Sequence, residues 1–179
     1  KKQKILMLKY FTIILFFLSI NNLSSEIVKE INLKGNSRIS VETVKVYGEI
    51  SLDEDYSEFD LNEILKKLYN TDFFENIEID LDNNILNITV KEYAIINAVD
   101  LLGEKSTTIK SEILERLQLK EKTSFIENKV SEDIQRIKEI YSSIGFNFVT
   151  VEAKIEKFDN DRINLRYFLN KGQKTNIAK

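Results

Sequence analysis

The densest set of potential ligands in this chain is Asp53, Glu54 and Asp55 with Glu58. Clustered carboxylates suit a hard cation such as Ca²⁺. The run lacks the turn-forming glycine of an EF-hand loop, however, and acids gather ahead of helix N-termini for electrostatic reasons alone. We read it as a solvated stretch before a helix, and neither a metal nor any other cofactor is expected. General acid–base work favours a carboxyl group in an apolar setting, and no acid stands in an obvious one. The chain has no Cys and no His. That removes thiol chemistry, disulfides and the commonest metal ligand and general base. The five glycines, Gly35, Gly48, Gly103, Gly145 and Gly172, fall singly at element ends and build no phosphate-binding loop. Asn87-Ile88-Thr89 is a glycosylation sequon that reads as an ordinary strand triplet. Tyr69, Phe73, Phe74, Tyr141 and Phe146 could line an aromatic groove, but they stand at helix ends facing a hairpin, where core packing is the expected role. These residues point away from an enzyme.

What the sequence does organise is a repeat. A strand, a glycine-marked loop, two amphipathic helices and a two-stranded hairpin occur twice, about 70 residues apart. In the first copy Ile27, Ile31 and Leu33 alternate as a strand ended by Gly35-Asn36. Ser40 is the expected N-cap of a short helix, with Ile39 and Val44 as a hydrophobic staple and Gly48 as the stop. A second helix is expected from Asp60, with Glu63 three residues on and Phe59/Ile64 as its staple. Leu61, Ile64, Leu65, Leu68 and Tyr69 then make one apolar stripe. After Phe73-Phe74 the period changes to two, through Ile77, Ile79 and Leu81, then Leu86, Ile88 and Val90. Asp82-Asn83-Asn84 supplies the turn between them.

The second copy follows the same plan with weaker caps. Val99 and Leu101 lead to Gly103, and Ile109, Ile113, Leu114 and Leu117 form a first helix. Val130, Ile134, Ile137, Ile140, Tyr141 and Ile144 stripe a longer one, closed by Gly145 as a left-handed C′ residue. Tyr141 matches Tyr69, and Phe146 matches Phe74. Val149, Val151, Ala153 and Ile155 alternate, as do Ile163, Leu165, Tyr167 and Leu169, about Asp159-Asn160-Asp161. One face of each sheet is apolar and the other polar, so helices cover one side only. The fold class is α+β: two tandem β-α-α-β-β modules over residues 26–93 and 94–172, each a three-stranded mixed sheet under two helices.

Residues 1–25 stand apart. Lys1, Lys2, Lys4 and Lys9 precede the apolar run Tyr10 to Leu18 and then a small polar stretch ending Ser24-Ser25. This is the order of a secretory signal peptide, with a retained membrane anchor as the alternative. Setting those four lysines aside takes the net charge from −3 to −7. An acidic chain lacks the basic surface that nucleic acids and anionic lipids require. Proteins are the expected partners.

The run Gly35 to Ser40, Leu68-Tyr69 through Phe74, and Ile140-Tyr141 through Gly145-Phe146 resemble the first two POTRA domains of the BamA family of outer-membrane protein assembly factors. Gly103-Glu104 departs from the pattern by lacking the asparagine of Gly35-Asn36. The resemblance covers nearly all of residues 26–170. It implies a periplasmic segment at the cell outer membrane, attached through a β-barrel C-terminal to these residues, with residues 173–179 starting a third module or a linker. Implied partners are unfolded outer-membrane proteins, periplasmic chaperones and assembly lipoproteins. A two-partner secretion or TamA-type transporter, or a membrane-anchored interaction protein, would share the same modules. In this family the second strand of a module lies at a sheet edge, where an extended client can add itself by β-augmentation. The candidate binding residues are therefore Ile77, Glu78, Ile79, Asp80 and Leu81, with Val149, Thr150, Val151, Glu152, Ala153, Lys154 and Ile155.

Overall fold

Ser40, Ser57 and Ser106 decide where three helices begin, each hydroxyl accepting a backbone N–H three residues on, from Thr43, Asp60 and Ile109. The structure, a computed structural model, describes residues 25–158 and 161–174. Of the expected leader only Ser25 falls within them, and of residues 173–179 only Gln173 and Lys174. The helices are α1 (Val41–Gly48), α2 (Glu58–Tyr69), α3 (Thr107–Arg116) and α4 (Glu127–Ser143). Two expectations are corrected at their ends. Asp60 is not where α2 starts; it is the third helical residue, closing a capping box with Ser57. Phe59 is 68% exposed and staples nothing, whereas Tyr56, ahead of the cap, is buried. Gly48 is the last residue of α1, but Glu49 takes the left-handed cap at φ 52°. Gly48 is small for packing: a Cβ there would come within 3.0 Å of the Ile50 side chain. Helix α4 ends as expected, in a Schellman motif with Gly145 N–H to Ser142 O and Phe146 N–H to Tyr141 O.

The strands are β1 (Glu26–Ile27), β2 (Glu30–Lys34), β3 (Asp55–Tyr56), β4 (Phe74–Asp82), β5 (Ile85–Glu92), β6 (Ile95–Leu102), β7 (Thr150–Phe158) and β8 (Arg162–Asn170). They form two three-stranded sheets, ordered β2-β5-β4 and β6-β8-β7, with the first pair of each sheet parallel and the second antiparallel. Ile27 does not continue into one strand with Ile31 and Leu33. The strand is interrupted at Val28-Lys29, and β1 pairs instead with β3 in the loop between the helices. In the first hairpin Asn83 and Asn84 both adopt positive φ, at 53° and 65°, the two-residue turn that matches strand twist.

Gly35 and Gly103 mark the same crossing in both copies. Each follows its first strand at positive φ, and a Cβ would lie 2.1 Å from Val90 O and 2.0 Å from Leu169 O respectively. No side chain fits there, which is why both positions are glycine.

The helices cover one face of each sheet and enclose two separate cores. One gathers Val44, Ile64, Leu68, Phe74, Leu86 and Ile88. The other gathers Ile96, Ile113, Ile137, Tyr141, Leu165 and Tyr167. Burying each such side chain contributes about 1.5–3 kcal/mol before entropy is subtracted. Only Tyr93 and Ala94 separate β5 from β6.

Candidate functional site

A β-strand turns the N–H and C=O of successive residues alternately to its two edges. Strands β4 and β7 each pair on one side only, with β5 and β8, so one parity of each is spent and the other faces outward. The crossing glycines reveal which. Val90 O and Leu169 O point at Gly35 and Gly103, so in the central strands these residues face the first strand. Their partners across the hairpins are Ile77 and Val151, whose backbone groups therefore face outward. The register of β7 on β8 is unbroken, and alternation extends the assignment along both strands. Ile77, Ile79 and Leu81, with Val151, Ala153 and Ile155, present the outward backbone groups. Glu78, Asp80, Thr150, Glu152 and Lys154 spend theirs inside the sheet and offer exposed side chains instead. Val149 is buried and precedes β7 by one residue, a correction to the expected start of that strand.

The opposite edge of each sheet is partly occupied. Thr123 O accepts Ile96 N–H at 2.9 Å, and Ile96 O accepts Lys122 N–H at 2.8 Å. In the first module Val28 exchanges equivalent bonds with Glu54 and Asp53. The loop between the helices thus shields the start of the first strand in both copies.

One side chain reaches the outer edge of β4. The Tyr69 hydroxyl accepts Ile77 N–H at 3.0 Å and lies 3.5 Å from Ile77 O. Tyr69 is 39% exposed; helical periodicity placed it in the apolar stripe, and its polar end serves the strand instead. Tyr141 is fully buried and gives its hydroxyl to Glu104. Among the described residues no side chain hydrogen-bonds the backbone of Thr150–Phe158.

Three acids occupy enclosed settings, contrary to the expectation from sequence. Asp133 on α4 is fully buried and accepts Gln118 N–H, Leu119 N–H and the Tyr167 hydroxyl at 2.8, 3.0 and 3.2 Å. Burial, reinforced by Asp133, pushes the Tyr167 hydroxyl well above its ordinary value. Glu92 accepts the N–H groups of Ser37, Arg38 and Ile39 and pairs with Arg38 at 3.0 Å. Burial alone would raise its pKa, but these donors outweigh it and hold it low. Glu104 is likewise raised by burial, and Lys171, Tyr141 and Ser106 N–H outweigh that, pulling it to about 2. Each carboxylate is held by structural donors. Sequence periodicity hid Asp133 in particular, because it interrupts an apolar stripe that Val130, Ile137 and Tyr141 carry. Among the described residues no three potential ligands gather to hold a metal, and no helix is long and apolar enough to cross a membrane.

Residues 94–172 match the POTRA family, described as a surface antigen variable number repeat. Two curated relatives carry the name outer membrane protein assembly factor BamA. The one from Neorickettsia risticii is 25% identical over 163 residues, covering 91% of this chain and 22% of the relative. That from Neisseria meningitidis serogroup B is 24% identical over 154 residues, covering 84% and 19%. The chain therefore spans about a fifth of the length of each. The N-terminal domain of Omp85 from Thermosynechococcus elongatus shares the fold at a TM-score of 0.53 and 14% identity, over 80% of this chain and 63% of that one.

Proposed function

We propose that this chain, whose residues 94–172 match the POTRA family and which is similar to two proteins named outer membrane protein assembly factor BamA, is the periplasmic part of an outer-membrane protein assembly factor. It holds unfolded barrel precursors, chaperones and assembly lipoproteins near the membrane by adding their extended segments to its sheets. Backbone pairing is nearly blind to sequence, which suits a protein that receives many clients. The observation that carries this reading is the pair of nine-residue strands, β4 and β7, each paired on one side only.

The parity assignment makes a sharp test. Ala153→Pro removes a donor from the outward edge, a position where an edge strand tolerates proline. Glu152→Pro removes a donor from the ladder to β8 and should damage the fold. Ala153→Pro should keep native circular dichroism and lose most photo-crosslinks to an unfolded barrel precursor from a label at Lys154. Native dichroism with undiminished crosslinking in that variant would remove augmentation at β7.

A further inference from the structure

The two candidate edges are not equally open, and the differences are those by which sheets protect themselves from pairing. Strand β4 begins with an irregular register between Phe74 and Asn76, leaving Glu75 unpaired. Bulges of this kind twist an edge away from partners. Its first outward donor, Ile77 N–H, is taken by Tyr69. Of its exposed residues Glu75, Glu78, Asp80 and Asp82 are acidic and Asn76 is neutral, and the strand contains no basic residue. Strand β7 has none of these devices. Its register runs unbroken from Thr150 to Phe158, and its exposed row alternates Glu152, Lys154 and Glu156. On its other face Ala153 and Ile155 are half-buried, as Ile79 and Leu81 are in β4, so the apolar layer under each sheet reaches the edge and the two edges differ in their backbone and charge.

We infer that β7 is the receiving edge and that Tyr69 keeps β4 closed by standing in for a client at Ile77. The occupant of β7 is an extended segment lying antiparallel to it. Apolar side chains at every second position continue the half-open layer beside Ala153 and Ile155. Between them sit a cation opposite Glu152, an anion opposite Lys154 and a cation opposite Glu156, since opposite charges across a strand pair attract and like charges repel. This rests on the augmentation reading above and narrows it to one edge, one guard and one charge pattern.

The test is amide hydrogen exchange read residue by residue by NMR on the full chain, with synthetic peptides. The β7 probe is Val-Lys-Val-Glu-Val-Lys-Val. Its charge-reversed control is Val-Glu-Val-Lys-Val-Glu-Val, and Val-Lys-Val-Lys-Val-Lys-Val suits the acidic row of β4. The β7 probe should slow exchange at Val151, Ala153 and Ile155, and the control should bind about tenfold more weakly, as three like-charge pairs imply. The all-lysine peptide should leave Ile79 and Leu81 unprotected in the wild-type chain. In Tyr69→Phe, which removes one oxygen and keeps the ring, Ile77 N–H should exchange faster without peptide. The all-lysine peptide should then protect Ile77, Ile79 and Leu81. Protection of β4 in the wild type, or none in Tyr69→Phe, would overturn the guard while leaving augmentation standing. Equal binding of probe and control would overturn the charge pattern. No protection of any edge amide by any peptide, in either protein, would overturn augmentation itself.

Discussion

Tyr69 and Tyr141 sit late in the second helix of their modules, and their hydroxyls go to opposite edges of the sheet. Tyr69 turns outward and occupies the strand edge at Ile77. Tyr141 turns inward to Glu104, which also holds Lys171, at 2.7 Å, where the chain leaves the module. The residue after the crossing glycine explains the difference. Asn36, after Gly35, bonds locally to Ile39 O, whereas Glu104, after Gly103, places a charge inside and draws the tyrosine to it. The first module makes the corresponding tie from the other side, with Glu92 at the end of β5 reaching back to Ser37, Arg38 and Ile39. Two copies of one fold can therefore secure the same exit with a glutamate from either partner. The copy that places it on the loop frees its strand edge.

The largest effect that would sharpen this comparison lies at Asp133. The first module holds the segment after its first helix with a neutral group, the Tyr56 hydroxyl accepting Ser51 N–H at 2.8 Å. The second uses a buried carboxyl group, Asp133. Asp133→Leu would leave Gln118 N–H, Leu119 N–H and the Tyr167 hydroxyl without partners, costing about 3–5 kcal/mol. Amide exchange at Leu165 should accelerate greatly while that at Ile88 stays as in the wild type. If both accelerated equally, the two cores would unfold as one unit and residues 26–93 and 94–172 would not be independent domains.

Acid should separate the two exits next. Glu104 falls from an ordinary value of 4.5 to about 2 in the folded chain. A lowered carboxylate stabilises the fold fully above its unfolded value and loses that stabilisation as pH drops toward its folded one. The window is therefore pH 4.5 down to about 2. Glu92 is lowered in the same direction, so both modules should weaken in acid. Glu104→Gln should cost about 1.5–3 kcal/mol near neutral pH, the worth of hydrogen bonds to a charged group. It should also flatten the acid dependence of the second module alone. An unchanged acid profile at Leu165 in this variant would mean that other carboxylates drive the loss.

The architecture was legible because it rests on periodicity and turn chemistry. The alternating runs at Ile77 to Leu81 and Val151 to Ile155, the serine at position 40 and the Asn83-Asn84 turn are local signals that tertiary contacts left intact. What stayed hidden was set by contacts distant in sequence. Nothing near Asp133 announces that it will cap residues 118 and 119, and no local pattern separates an inward Tyr141 from an outward Tyr69. The parity of the edges was equally hidden. A strand's sequence tells which face its side chains take, but the pairing partner decides which edge its backbone serves.

The smallest effect concerns how the two modules stay aligned. Among the described residues the one ion pair between them joins Lys129 on α4 to Asp72 after α2, at 2.6 Å. Both groups are partly exposed, with side-chain accessibilities of 29% and 53%, so the pair contributes at most about 0.5–1 kcal/mol and is screened by salt. Its leverage is geometric. The connector is only Tyr93 and Ala94, and Arg38 anchors it by donating to Tyr93 O at 2.8 Å; Lys129–Asp72 is a second fixed point away from that axis. Asp72→Asn should therefore leave the stability of each module unchanged within about 0.5 kcal/mol. The distance distribution between spin labels at Asn62 and Glu139 should nevertheless broaden, and high salt should broaden the wild type in the same way. If the distribution stayed narrow in the variant, the connector, held by Arg38 and by its backbone bonds to Phe73 and Phe125, would set the angle between the modules without the ion pair.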